Sequence, residues 1–152
     1  MINVYIIIVL QILLFLGGIY AYNKHKNNKI YWDSFKTFRV VLIFPLLDVI
    51  TTVLFINEFG IESELNSLAR TIIYYLNSYG FAVLFLSGVI GLFSSFSIAF
   101  YSLDFIYKKE KSKNKKQLFS REEYLKGHTY LLTYLFVAIY SIVLVQNIAG
   151  LL

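Results

Sequence analysis

An all-α integral membrane protein is what this sequence predicts: a bundle of four transmembrane helices, with a short interfacial helix before the third span. Three observations carry the expectation. Hydrophobic residues make up 58% of the 152-residue chain, and they collect in runs long enough to cross a hydrocarbon core of about 30 Å. Of the 14 Lys and Arg residues, 13 fall in two segments, 23–39 and 108–128. The acids Glu58, Glu62 and Glu64 share a third segment that contains no Lys or Arg between Asn57 and Asn66. Residues 1–152 therefore read as one transmembrane domain with no soluble domain.

The first apolar run covers residues 2–22. No basic residue precedes it, and no small-x-small pattern marks a cleavage site near Ile19-Tyr20-Ala21. Positive charge follows it, at Lys24, Lys26, Lys29, Lys36 and Arg39, so it reads as a retained helix with its N-terminus outside the cytoplasm. Residues 23–39 are then a cytoplasmic loop, in which Tyr31, Trp32 and Phe35 resemble interface anchors. The second span covers residues 40–56, with Pro45 marking a kink or local irregularity.

Residues 71–107 are the ambiguous stretch. As one helix they would measure roughly 55 Å, too long for a single core. A hairpin of two short spans would put the acidic and Lys-rich loops on one side. An interfacial helix over 63–78, a break at Asn77, Ser78 and Gly80, and one span over 81–107 put them on opposite sides, as the positive-inside rule prefers. The single crossing is the expectation adopted. The run KKEKSKNKK from Lys108 is too charged to pack, so 108–128 is a second cytoplasmic loop. Ser120 and Glu123 fit a capping box that starts the last helix, with its span over 129–151. Both termini then lie outside the cytoplasm of a cell membrane; a viral envelope protein would share these features.

Few residues suggest chemistry. Cysteine is absent, which excludes disulfides, thiolate nucleophiles and Cys-ligated metal centres. No Walker or GxGxxG pattern is present. His25 and His128 fall on cytoplasmic segments and read as surface histidines, so no membrane-embedded base is available to a serine. No cofactor and no metal site are expected. Asp48 is the residue that needs explaining, because a carboxylate in mid-span is costly unless satisfied. Thr51 and Thr52 share its face one turn on. Glu62, Asn66 and Arg70, spaced i, i+4, i+8 with Glu64 beside them, form a candidate polar cluster with Asp48, Thr51 and Thr52. Counting each span to its centre gives a midplane layer of Gln11, Asp48, Ser94, Ser95, Tyr140 and Ser141. Ser87, Gly91 and Ser95 follow the small-xxx-small pattern of close helix packing, and Gly17 and Gly18 suit the same purpose. Asp104 and Lys108, at i, i+4, are spaced to pair.

The series Asp48-Val-Ile-Thr51-Thr52, Gly60, Glu64-Leu-Asn66-Ser67 and Arg70, with Gly80-Phe81 and the late Asn147, resembles an uncharacterised family of small prokaryotic multi-pass membrane proteins. That family carries an Asp and Thr in one helix, then Gly, then Glu-x-Asn-Pro; Ser67 here stands in place of the proline. The resemblance covers residues 40–150 loosely and implies a shared fold and polar cluster, with no activity attached.

The expected function is that of a non-catalytic accessory or structural subunit of a larger membrane complex, in contact with the bilayer, other membrane subunits and, at the Lys-rich loop, anionic lipid rather than nucleic acid. The alternative is a small transporter, ion-binding protein or membrane enzyme built on Asp48, Glu62, Glu64, Asn66 and Arg70.

Overall fold

The computed structural model describes residues 4–64, 67–112 and 118–149, which are almost wholly helical and contain no strand. The helices are α1 (Val4–His25), α2 (Lys29–Phe38), α3 (Phe44–Phe59), α4 (Ser67–Leu76), α5 (Ser78–Ser112) and α6 (Arg121–Ala149). Short 3₁₀ turns at Arg39–Ile43 and Ile61–Ser63 flank α3. Three helical stretches are long and apolar enough to cross a membrane: Lys29–Phe59, Ser78–Ser112 and Arg121–Ala149.

Segment 23–39, expected as a loop, is mostly helix. Asn28 caps α2 by accepting from the Ile30 amide at 3.0 Å, and the Trp32 indole closes the preceding turn by donating to the Lys26 carbonyl at 2.6 Å. The physical reason is amphipathicity. Tyr31, Ser34 and Phe38 recur at helical spacing and are buried, while Lys29 and Trp32 face out. Tyr31 is thus no interface anchor. It is fully buried, and its hydroxyl shares a 2.9 Å hydrogen bond with Ser97. Pro45 sits in the first turn of α3, where its missing N–H costs nothing, and the irregularity it introduces is the 3₁₀ turn just before it.

Gly60 ends α3 at φ 82°, a backbone region open to glycine, and reverses the chain. Asn77, at φ 49°, separates α4 from α5. It stands in the expected break, and α5 continues unbroken for 35 residues, so no second hairpin turn divides it. α4 folds back on the first turns of α5, where a Cβ on Gly80 would lie 2.8 Å from the Ile73 Cα. The start of α6 is a capping box: the Ser120 amide donates to Glu123 Oε2 at 2.9 Å, and the Glu123 amide donates to Ser120 Oγ at 3.3 Å.

α1 and α5 run parallel along their lengths. Gly17 meets Ile98, Gly18 meets Ser94, Tyr20 meets Tyr101, and His25 meets Phe100 and Tyr101. A Cβ on Gly18 would collide with Ser94, and one on Gly88 would lie 2.8 Å from Pro45. These are the close approaches of the bundle. Gly91 is not one of them, because a Cβ there would meet nothing within 4 Å. The small-xxx-small reading of Ser87, Gly91 and Ser95 fails for a simple reason: Ser87 and Gly91 border an open groove, and the tight contact lies at Ser94, on an adjacent face.

The core sits toward the His25 end. Tyr31, Phe38, Phe96, Phe100 and Leu125 are fully buried there, and Phe38 stacks obliquely on Phe96 at 4.8 Å between ring centroids. Such contacts combine dispersion with favourable ring geometry.

Candidate binding cleft around Asp48

The opposite end of the bundle is open. Asp48, in the second turn of α3, faces a cavity of ≈ 530 Å³ walled by α1, α3, α4, α5 and α6, with Glu64 contributed by the segment before α4. Its polar lining includes Gln11, Asp48, Thr52, Ser87, Tyr140 and Asn147. Asn147 Nδ2 donates to Asp48 Oδ1 at 3.1 Å and to Thr51 Oγ1 at 3.4 Å. Thr51 is itself engaged, donating to the carbonyls of Leu47 and Asp48 at 3.1 and 2.9 Å. Asp48 remains exposed to the cavity.

A second, smaller cavity of ≈ 180 Å³ continues toward the Gly60 end. It shares Thr52, Glu64 and Asn147 with the first and adds Ser63 and Gln146 at its mouth. The turn at Gly60 explains how Glu64, twelve positions beyond Thr52 in sequence, comes to lie over it: the chain doubles back before entering α4.

The candidate cluster divides. Asp48, Thr51, Thr52 and Glu64 come together at these two cavities. Glu62 and Arg70 do not join them. They form an ion pair on the surface, 3.5 Å long, across the break between the 3₁₀ turn and α4, an arrangement worth little energetically. Their spacing of i, i+8 assumed one helix, whereas Glu64 has extended backbone at ψ 114°. Asn66 lies outside the described residues.

The midplane set divides too. Gln11, Asp48 and Tyr140 line one cavity. Ser94 instead packs against Gly18, Ser95 is half-buried, and Ser141 faces outward. The residue of α5 level with Asp48 is Ser87, two turns earlier than counting placed it. The miscount has a physical origin. The last turns of 81–107 belong to a polar node, so the apolar part of the span is centred nearer its N-terminus.

That node is built on Asp104, which is 2% exposed. Arg121 Nε and Lys108 Nζ each approach it at 2.7 Å, and His25 Nε2 lies at 4.0 Å. The expected Asp104–Lys108 pair is present, with Arg121 as a further partner that no spacing rule reveals. His25 is no surface histidine. It is buried against Tyr31, Phe100 and Tyr101, and burial pushes its pKa down, against the opposing pull of Asp104. His128 is exposed, its Nδ1 2.8 Å from the Tyr124 carbonyl. Among the described residues no group of three or more acids and histidines is arranged to hold a metal ion.

Comparison with protein-family models, with curated proteins and with solved structures returned no match.

Proposed function

We propose that the chain is a four-span membrane protein, both termini outside the cytoplasm, that binds a polar ligand in the Asp48 cleft without transforming it. The observation that carries the proposal is the cleft itself: a carboxylate in the second turn of α3 facing a cavity of ≈ 530 Å³ with one amide partner at 3.1 Å. A polar group inside a membrane is a functional candidate by default, and here five helices leave room around it. Thr51, Thr52, Glu64 and Asn147, four of the residues behind the family resemblance, converge on the adjoining cavity. Binding is favoured over catalysis because Thr51 already donates its proton to backbone carbonyls and, among the described residues, no histidine or lysine lines the cleft.

Several features support the topology. α1 runs beside α5 in the same direction, which suits a fourth span of equal polarity. The basic residues that follow α1 and those that end α5 meet at one end, joined through His25, Asp104 and Arg121, and the positive-inside rule assigns that end to the cytoplasm. Tyr74, Tyr75 and Tyr79 are strongly exposed around the α4–α5 turn, as an interfacial aromatic belt requires. Lys108, Lys109 and Lys111, at the basic end of α5, suit contact with anionic lipid. Cysteines introduced at Ser63 and Ser112 should label from opposite sides, Ser112 from the cytoplasm; labelling of both from one side overturns the orientation.

A second reading, an accessory subunit of a larger membrane complex, is favoured by α6, the least covered of the three long helices. One experiment separates the two. The full chain is extracted in mild detergent and its mass measured under native conditions. Retained small-molecule mass, lost in an Asp48→Leu variant, supports ligand binding. Stoichiometric protein partners with no such mass support the subunit reading.

A further inference from the structure

The Asp48 cleft does not end at its polar walls. At Gln11 and Ser87 it adjoins a groove of ≈ 310 Å³ between α1 and α5. Beyond those two residues the groove is mainly apolar, lined by Ile8, Ile12, Phe15 and Ile90, with Gly91 and Ser94 at its floor. The open space beside Gly91 is what keeps it from closing. From Ile8 to Phe15 it follows α1 for about 10 Å. Ile8, Ile12, Phe15 and Ile90 are all more than a third exposed, so the groove opens to whatever surrounds the bundle.

A polar chamber joined to an apolar side groove selects an amphiphile. The charge of the chamber selects its head group. Asp48 and Glu64 line it together with amides and hydroxyls, and among the described residues no Lys, Arg or His lines any of the three adjoining cavities. An anionic head would meet the Asp48 carboxylate, which is bonded to the uncharged Asn147 amide, whereas a cationic head finds charge and hydrogen-bond acceptors beside it. We infer that the ligand is a single-chain amphiphile with an ammonium head group, its head beside Asp48 and its chain in the α1–α5 groove. The inference rests on the Asp48 cleft being a binding site.

Dodecylamine is the probe, with ethylammonium as the head alone and dodecanoate as the chain with opposite charge. Full-length protein in nanodiscs is titrated with each, and adducts are counted by native mass spectrometry. Expected are a saturable 1:1 dodecylamine adduct, at least ten-fold weaker ethylammonium and dodecanoate binding, and at least ten-fold weaker dodecylamine binding in Asp48→Asn and Ile90→Trp. Ile12→Trp, on the facing wall, repeats the groove test should Ile90→Trp misfold. If ethylammonium binds as well as dodecylamine and neither Trp variant matters, the groove has no role and the inference fails, while the cleft stands. If dodecanoate binds equally and Asp48→Asn is silent, the charge assignment fails. If no probe binds in a site-dependent manner and the protein carries no small molecule on extraction, the binding reading of the cleft fails as well.

Discussion

Two carboxylates, Asp104 and Asp48, sit within the long helices of this chain and are treated in opposite ways. Asp104 is buried at 2% exposure and bracketed by Arg121 and Lys108, each at 2.7 Å, with His25 at 4.0 Å packed in turn on Phe100. Asp48 is exposed to a cavity and has one uncharged partner at 3.1 Å. A carboxylate surrounded by its own counter-charges has nothing left to offer a ligand and serves to hold α1, α5 and α6 together. One left with a single amide in an open chamber adds little to stability, since an interhelical bond of this type is worth about 0.6–2 kcal/mol. The contrast separates an acid that ties helices together from one that faces open space.

The contrast can be broken at several points. Asp104→Ala should have the largest effect. It leaves Arg121 and a buried histidine without their carboxylate, and because Arg121 and Lys108 are partly solvated the cost belongs at the low end for a buried pair, about 3 kcal/mol; thermal unfolding in detergent, followed by circular dichroism, measures it. Gly18→Leu comes next. It drives a side chain into Ser94, and overpacking of this kind costs about 1–3 kcal/mol. His25 gives a pH dependence of smaller size. Its pKa is lowered by burial, so the unfolded chain takes up the proton first as pH falls. Stability from this group is therefore complete above about pH 6.5 and declines below it. Melting temperatures across pH 5–8 should fall on the acid side in the wild type, and less in His25→Phe. Last, Gly91→Leu should leave stability within about 0.5 kcal/mol of wild type, because its Cβ enters open space. A large loss there would mean that the α1–α5 groove is closed and that Asp48 is not served by it.

The helices were legible in the sequence because their apolar runs exceed what a soluble core requires, and Asn77 and the Ser120–Glu123 box mark boundaries by local chemistry alone. Asp48 was legible for the same reason: one charge in an apolar run is conspicuous. Its partner was not. Asn147 lies 99 positions away, and no pattern along one helix specifies which residue of another will face it. α2 was misread because the five basic residues of segment 23–39 and their neighbours suggested solvent, although Tyr31, Phe35 and Phe38 already carry a helical period. The register of α5 was misjudged because hydropathy cannot distinguish a tyrosine or phenylalanine facing lipid from one packed, like Phe100 and Tyr101, on His25. Glu62 and Arg70 were grouped with Asp48 on a helical spacing that the extended backbone at Glu64 interrupts.

The bond between Asp48 and Asn147 also sets an order of events. During synthesis at about 5–20 residues per second, Asp48 is made roughly 5–20 s before Asn147 exists. For that interval the walls of the cleft are incomplete, and Asp48 has only groups from helices already made, Gln11 foremost among them. The cleft is therefore the last part of the bundle to form, and it is sealed by the final turns of α6. A chain stopped after α5 would hold the Asp104 carboxylate beside Lys108 but would lack Arg121, Tyr140 and Asn147 together. Occupancy of the cleft thus reports that α6 has been made and has joined the other helices.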